Sequence, residues 1–213
     1  MSAAGPAPRF DGRSVVVTGV GRAGQVGEVV AREFASRGAA VAIIDRDGAS
    51  AAALAAANAG KIHALANVAG GFAMSGPVGE SDPAVFQRQL SINLGSAYGA
   101  TRACMPFMRA AGGGAVVFMA AAAILPGGKV AGMSGYAASK AGVTALMRAV
   151  AQEEKKNGIR ANAIAPTAIR TGVNLESMGE KVAYVERESV AGVIAFLCSR
   201  EAVNITGQVI ELA

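Results

Sequence analysis

The chain has 213 residues, of which 52% are apolar and 16% charged, and it carries a net charge of +5. Its size fits one domain with a sizeable core, and its composition excludes an intrinsically disordered chain. The longest apolar run, residues 115–125, is about half of what a membrane-spanning helix needs, and no aromatic residues are interleaved with the scattered basic ones. We therefore expect a single domain over residues 1–213 that binds neither a membrane nor nucleic acid.

The sequence predicts no secretion signal, no disulfide and no metal site. Residues 1–9 are small and Pro-rich, without the apolar stretch of a secretion signal. Cys104 and Cys198 lie far apart in apolar, helix-like segments, so we interpret them as core residues in a reducing, cytoplasmic compartment. His63, the only histidine, has no Cys, Asp or Glu at ligand spacing, so no metal site is predicted.

Strand-like and helix-like segments alternate along the chain. The apolar or β-branched runs typical of buried strands are residues 14–18, 40–44, 62–66, 115–119, 160–165 and 208–212. Helical patterns follow the first strand up to Gly38 and cover residues 49–58, 83–111, the segment from Tyr136 to 157, and 188–199. This alternation predicts an α/β fold, a doubly wound parallel sheet with helices on both faces. Ligands bind such sheets at the carboxyl ends of the strands.

A glycine-rich turn follows the first strand. Glycine permits positive φ and lets backbone N–H groups approach a pyrophosphate at a helix N-terminus. The turn therefore predicts a dinucleotide site, with an ordinary tight turn between strand and helix as the alternative. Its glycines are Gly19, Gly21, Gly24 and Gly27.

An acidic residue at the end of the second strand indicates which dinucleotide is preferred. Asp45 lies 18 residues beyond Gly27. A carboxylate there accepts hydrogen bonds from the adenosine ribose hydroxyls and repels a 2′-phosphate, so NAD(H) is favoured. Arg22 and Arg46 keep NADP(H) open, because either guanidinium could pair with that phosphate.

Tyr136 and Lys140 form a candidate acid/base pair. Residues four apart lie on one face of a helix. A nearby ammonium favours the phenolate and lowers the tyrosine pKa from about 10, which suits proton exchange with an alcohol or carbonyl oxygen. The alternative is a half-buried tyrosine beside a solvated lysine, since this spacing often arises by chance.

Five segments in this order resemble the short-chain dehydrogenase/reductase family over almost the whole chain. The matching segments are Thr18 to Gly27 with Gln25 in place of a glycine, Asn67-Val-Ala69-Gly70, Asn93, Tyr136-Ala-Ala-Ser-Lys140, and Asn162 to Thr171. The resemblance implies a Rossmann fold and an NAD(P)(H)-dependent oxidoreductase. Such an enzyme moves a hydride between nicotinamide and a small carbonyl, alcohol or imine-like substrate.

The resemblance also assigns roles to residues. It implies Tyr136 as the acid/base, Lys140 as the ribose ligand that lowers the Tyr136 pKa, and Asn93 as the support of a proton-relay water. Thr171 would contact the nicotinamide carboxamide. A homodimer or homotetramer is expected, because small residues such as Ala138 and Ala141 permit close helix pairing. The implied cofactor contacts are Gly19, Gly21, Gln25, Val26, Gly27, Asp45, Asn67, Ala69, Gly70, Tyr136, Lys140 and Thr171.

The catalytic serine that the family places before Tyr136 is missing. Residues 119–124 contain no hydroxyl, and Ser134 is too close to Tyr136 to be the obvious replacement. Loss of such a donor costs about 10²–10³ in rate. A branch similar to dihydropteridine reductase also has alanine here and shares a segment like Val68-Ala-Gly-Gly71. The missing serine is therefore either a trait of that branch or a lost function.

Two segments are shorter than the family pattern. Asp45 and Asn67 are only 22 residues apart, which leaves room for one helix and predicts that one edge strand of the sheet is absent. The flank of strand 40–44 would then be uncovered. The loop between Thr171 and Val190 is also short, which indicates an open substrate site. The alternative functions are a catalytically weak nucleotide-binding protein that acts by association, and a structural subunit without cofactor.

Overall fold

The computed structural model describes residues 7–21, 23–44 and 59–213. The strands in these ranges are β1 (Ser14–Thr18), β2 (Ala40–Ile44), β3 (Ala64–Asn67), β4 (Gly114–Met119), β5 (Ile159–Pro166), β6 (Ala168–Ile169), β7 (Tyr184–Val185) and β8 (Val209–Leu212). Six of them form a parallel sheet in the order β2-β1-β3-β4-β5-β8, and β6 pairs with β7. The strand order reverses beside β1, which is the switch point where such sheets bind ligands.

Helices pack on both faces of the six-stranded sheet. They are α1 (Val26–Ser36), α2 (Pro83–Gln89), α3 (Ser96–Ala110), α4 (Ser134–Glu153), α5 (Gly172–Met178) and α6 (Arg187–Cys198). Alternate strand residues point to opposite faces, so Val16 packs with the α3 and α4 side while Val15 packs with α1 and α6. The predicted doubly wound fold is confirmed.

The second strand lies at the edge of the sheet. We predicted a buried strand at 40–44, but only Ile44 is fully buried and Ile43 is 50% exposed. The reason is that β2 pairs with β1 alone in the described part of the chain. This agrees with the predicted loss of an outer strand. The helix predicted at 49–58, which would follow β2, lies outside the described residues.

The long helix predicted over 83–111 contains a change of winding. Residues Leu90–Gly95 form a π-helical segment between α2 and α3. Asn93, the residue singled out from the sequence, lies in this segment and is almost completely buried. Short π segments inside helices occur frequently at functional sites.

A single polar contact explains the position of His63. His63 lies just before β3, and its Nδ1 accepts the Ser14 N–H at 3.0 Å, so in this structure it joins two strand ends. Burial is the first cause that lowers the His63 pKa, followed by the charges of Arg13 and Lys61.

Cys104 and Cys198 are buried free thiols. Among the described residues, the helices are too short or too polar to cross a bilayer.

Candidate active site

The first two predicted motifs meet at the carboxyl end of β1. The Thr18 hydroxyl accepts the N–H groups of Val68 and Ala69 at 3.1 and 3.0 Å. A Cβ on Gly19 would lie 2.6 Å from the Cα of Ala69, so only glycine allows this approach. The glycine turn and the Asn67–Gly70 segment therefore form one continuous backbone surface at the switch point.

The glycine turn leads directly into the N-terminus of α1. Gln25 is the extended residue before the helix and makes no side-chain cap in the described part of the chain. The N–H groups of Val26 and Gly27, in the first turn of α1, therefore have no acceptor within the helix. A Cβ on Gly27 would overlap the Gly19 carbonyl oxygen, which fixes glycine at that position. Gly21 lies exposed in the same turn.

The predicted ribose ligand, Asp45, follows β2 in the sequence. Asp45 and both nearby arginines, Arg22 and Arg46, lie outside the described residues. The last described residue before Asp45 is Ile44, whose carbonyl accepts the Gly19 N–H at 2.9 Å. The carboxyl end of β2 therefore lies next to the glycine turn.

Lys140 is buried against the end of β4. Its Nζ donates to the Met119 carbonyl at 2.8 Å and its side chain is only 5% exposed. Burial lowers the pKa of Lys140 to about 8. An ammonium has three donors, so two remain for a ligand or for Tyr136.

Tyr136 lies near Lys140, but its pKa is raised and not lowered in this structure. The Lys140 Nζ is 5.9 Å from the centre of the Tyr136 ring. Burial raises the pKa of Tyr136 to about 12. The predicted net lowering of this pKa is therefore wrong, because desolvation of the phenolate dominates.

Asn93 joins three parts of the site. Its side-chain N–H₂ donates to the Gly71 carbonyl and to the Ser139 hydroxyl, both at 3.0 Å, and to Gln89 at 3.2 Å. Its oxygen accepts the Gly71 N–H at 2.9 Å. Gly70 lies between this side chain and Lys140, since a Cβ there would overlap the Asn93 oxygen and lie 3.4 Å from Nζ.

Sequence reasoning missed two residues of the site. Ser139 accepts from Asn93 and donates to the Tyr136 carbonyl at 2.7 Å, which binds the π segment to α4. Phe72 meets the Tyr136 ring edge-on, with centroids 5.0 Å apart, while 58% of Phe72 stays exposed. The available signals were the serine directly before Lys140 and the aromatic residue directly after Gly71.

The end of β4 contains no hydroxyl, as the sequence indicated. Ala121 is buried in an extended conformation, and residues Ala122–Ile124 form one 3₁₀ turn. The Ser134 hydroxyl lies 3.3 Å from that of Ser75, and no hydrogen bond links Ser134 to Tyr136 in the described ranges. Ser134 thus does not stand in for the missing serine here.

Thr171 and Asn67 have structural partners of their own. Thr171 is buried and caps α5, because its hydroxyl accepts the Asn174 N–H at 3.2 Å. The Asn67 amide donates to Thr101 at 3.0 Å, while its buried oxygen has no partner among the described residues. The short loop predicted after Thr171 contains α5 and is fastened by Tyr184, whose hydroxyl donates to the Gly179 carbonyl at 2.7 Å.

Comparison with known proteins identifies the class to which this fold and site belong. A family model described as enoyl-(acyl carrier protein) reductase matches residues 45–212. A hexahydro-1H-indene-carboxyl-CoA reductase from Mycobacterium tuberculosis is 30% identical over 245 positions that cover 96% of this chain and 93% of the relative. The chain belongs to the short-chain dehydrogenase/reductase family. That alignment is longer than the 213 residues of the chain, so the chain lacks residues that the relative has.

Two further similarities agree with this assignment. A cyclohexanol dehydrogenase from an Acinetobacter species is 36% identical over 129 residues, which cover 57% of this chain and 51% of the relative. The chain thus spans about half the length of the first curated relatives it matches. A solved short-chain type dehydrogenase/reductase from Mycobacterium ulcerans has a TM-score of 0.84 at 25% identity, covering 96% of this chain and 89% of that one. The proposed relation to a dihydropteridine reductase-like branch stays a prediction.

Asn93→Ala should destabilise the protein strongly, because it leaves both Gly71 backbone groups and Ser139 without their buried partner. We expect the free energy of unfolding to fall by about 2–4 kcal/mol in urea denaturation. Asn174→Ala is the matched control, since that side chain makes one bond, to the Ile169 carbonyl at 2.8 Å. It should cost about 0.5–1.5 kcal/mol. Equal losses in the two variants would contradict the central role of Asn93.

Proposed function

We propose that this protein is an NAD(H)-preferring oxidoreductase that reduces the carbonyl group of a small cyclic substrate, as one domain over residues 1–213. The observation that carries the proposal is the convergence of Tyr136, Lys140 and Asn93 beside the glycine turn at the switch point. None of these contacts is needed to build the sheet, and a buried lysine is costly unless it has a use.

The residues of the turn suit a dinucleotide. Gly19 and Gly27 let the backbone of the turn pack closely against Ala69 and onto itself, and the first turn of α1 can offer its N–H groups to a pyrophosphate. Asp45 would receive the adenosine ribose hydroxyls, which is why we propose NAD(H) over NADP(H). Lys140 has two donors left for the nicotinamide ribose. When bound, the nicotinamide supplies or accepts the hydride.

The site supports Tyr136 as a proton donor. A phenol with a pKa of about 12 is protonated at neutral pH, so it can give its proton to a carbonyl oxygen that gains negative charge. Lys140 lies close enough to stabilise the phenolate that forms. At neutral pH Tyr136 is thus in the protonated form that carbonyl reduction needs. Asn93 fixes the backbone of Gly71 relative to α4, the helix that carries Tyr136 and Lys140.

An apolar surface beside Tyr136 supports a cyclic substrate. Phe72 is 58% exposed and contacts the Tyr136 ring, and the exposed Met74 lies nearby against Gly132. Aromatic and thioether side chains bind apolar rings well. Two relatives are named after cyclic compounds: a cyclohexanol dehydrogenase and an indene-carboxyl-CoA reductase. We therefore propose an alicyclic ketone as the substrate class.

Tyr136→Phe tests the mechanism. Wild type and variant should both bind NADH at micromolar concentration, with NADPH weaker, in calorimetric titrations. Only the wild type should oxidise NADH rapidly with cyclohexanone, and the variant should be about 10²–10⁴ slower because its proton donor is gone. Tyr98→Phe is the control, since Tyr98 is exposed on α3. Its rate should equal that of the wild type.

The outcomes separate the candidate functions. Equal turnover in wild type and Tyr136→Phe would exclude Tyr136 as the acid. NADH binding without turnover of cyclohexanone or other ketones would favour the nucleotide-binding protein that acts by association, which the missing serine motivates. No binding of either nucleotide at millimolar concentration would refute the oxidoreductase.

Reduction should slow as pH rises through the pKa of Lys140. Below about pH 8 Lys140 is charged and stabilises the developing phenolate; above it the charge is lost. We expect kcat for cyclohexanone reduction to fall above about pH 8 at saturating NADH. Lys140→Met should be slow throughout and show no such step. A wild-type profile that is flat to pH 10 would contradict this role.

We also propose that the protein forms a homodimer or homotetramer through α3 and α4. Ala138, Ala141 and Ala145 are exposed along α4, and the exposed Tyr98 on α3 borders an open groove of about 510 Å³ with Leu146. Small side chains allow close helix contact. Light scattering should give at least twice the mass of one chain, and Ala141→Glu should lower it. A monomeric wild type would refute the interface.

The cytoplasmic location stays a prediction that rests on two free, buried thiols.

A further inference from the structure

Gly24, in the glycine turn, has both its N–H and its carbonyl held by charged side chains. The Gly24 N–H donates to the Glu28 carboxylate at 2.6 Å. The Gly24 carbonyl accepts from the Arg187 guanidinium, also at 2.6 Å. Hydrogen bonds with an ionised partner are short and about twice as strong as neutral ones. Gly24 itself has φ +73°, which requires glycine.

The two charged partners come from opposite ends of the sequence. Glu28 belongs to the first turn of α1, and Arg187 is the first residue of α6, directly after the segment that contains α5 and β7. The Gly24 N–H, followed by Arg32, lowers the pKa of Glu28, so the carboxylate is ionised at neutral pH. Arg187 therefore joins the glycine turn to a part of the chain 163 residues away.

The position of Gly24 makes this contact relevant to a ligand. In a trans peptide the carbonyl of one residue and the N–H of the next point in opposite directions. A guanidinium that holds the Gly24 carbonyl therefore also fixes the direction of the Gln25 N–H. Gln25 is the residue directly before α1, so its N–H and those of the first helical turn form one group of donors.

One donor of Arg187 is left unsatisfied. Its Nε is buried and has no partner within the part of the chain that the structure describes. A buried, unpaired donor is unfavourable, and the guanidinium places a positive charge near the helix N-terminus, the positive end of the α1 dipole. Both effects would be compensated by an anion bound at that N-terminus.

We propose that Arg187 is a positioning residue of the dinucleotide site, which holds the Gly24 carbonyl so that the Gln25 N–H and the first turn of α1 are preset for a pyrophosphate. This inference rests on the proposed nucleotide binding. It adds a residue from the far end of the chain to a site otherwise built by β1, α1 and β3.

The test compares Arg187→Gln with Arg32→Gln in calorimetric titrations with ADP and with adenosine. Arg32 also binds the Glu28 carboxylate, at 2.9 Å, but does not contact Gly24. Arg187→Gln should weaken ADP binding at least about tenfold, because the donors for the phosphates lose their fixed direction. Arg32→Gln should stay within about twofold. Adenosine, which has no phosphate, should bind all three proteins equally.

The outcomes distinguish this inference from the proposed function. A wild type that binds neither ADP nor NADH refutes the proposed function. A wild type that binds ADP, with Arg187→Gln equal to it, overturns the inference alone. Equal weakening of adenosine and ADP would show a merely structural role and also overturn it. Thermal unfolding without ligand checks that the variant is folded; if it is not, Arg187→Lys, which keeps one donor, replaces it and should show the same loss to a smaller extent.

Discussion

The site depends on the hydrogen bonds that the Asn93 carboxamide makes. This carboxamide bonds to both backbone groups of Gly71 and to Ser139, so the loop after β3, the π segment and α4 are held by one buried side chain. The π segment turns Asn93 inward at this depth. Because Gly70 has no Cβ, Lys140 can lie on the other side of the same loop. The Asn93 bonds therefore help to set where the loop after β3 lies relative to Lys140 and Tyr136 on α4.

Burial determines the chemistry of the pair that faces this loop. It raises the Tyr136 pKa to about 12 and lowers the Lys140 pKa to about 8, so the pair is poised as a neutral phenol beside an ammonium that is easily deprotonated. Residues 119–124 at the end of β4 offer no side-chain hydroxyl to this pair. Phe72 contacts the Tyr136 ring edge-on and adds an apolar surface beside it.

Within the described residues β2 lies at the edge of the sheet, and the centre of the sheet is complete. β1, β3 and β4 keep their parallel partners, and the edge position of β2 leaves Ile43 half exposed. Edge strands can be lost at small cost because their outer hydrogen bonds are not needed by the strands inside. Charged groups fix the adjoining glycine turn, where Glu28 accepts the Gly24 N–H and Arg187 donates to the Gly24 carbonyl. The glycine turn is thus held by contacts that do not depend on a strand beyond β2.

The sequence by itself determined the order of strands and helices, the glycine turn and the shared helix of Tyr136 and Lys140, because periodicity and glycine positions are local properties. It also indicated the missing serine, and it predicts the absence of one edge strand. Only the tertiary structure decided what Phe72, Ser139 and Arg187 contact, since their partners lie far away along the chain. It also reversed the expected direction of the Tyr136 pKa shift. That shift depends on desolvation, which is set by packing in three dimensions and cannot be derived from spacing along a helix.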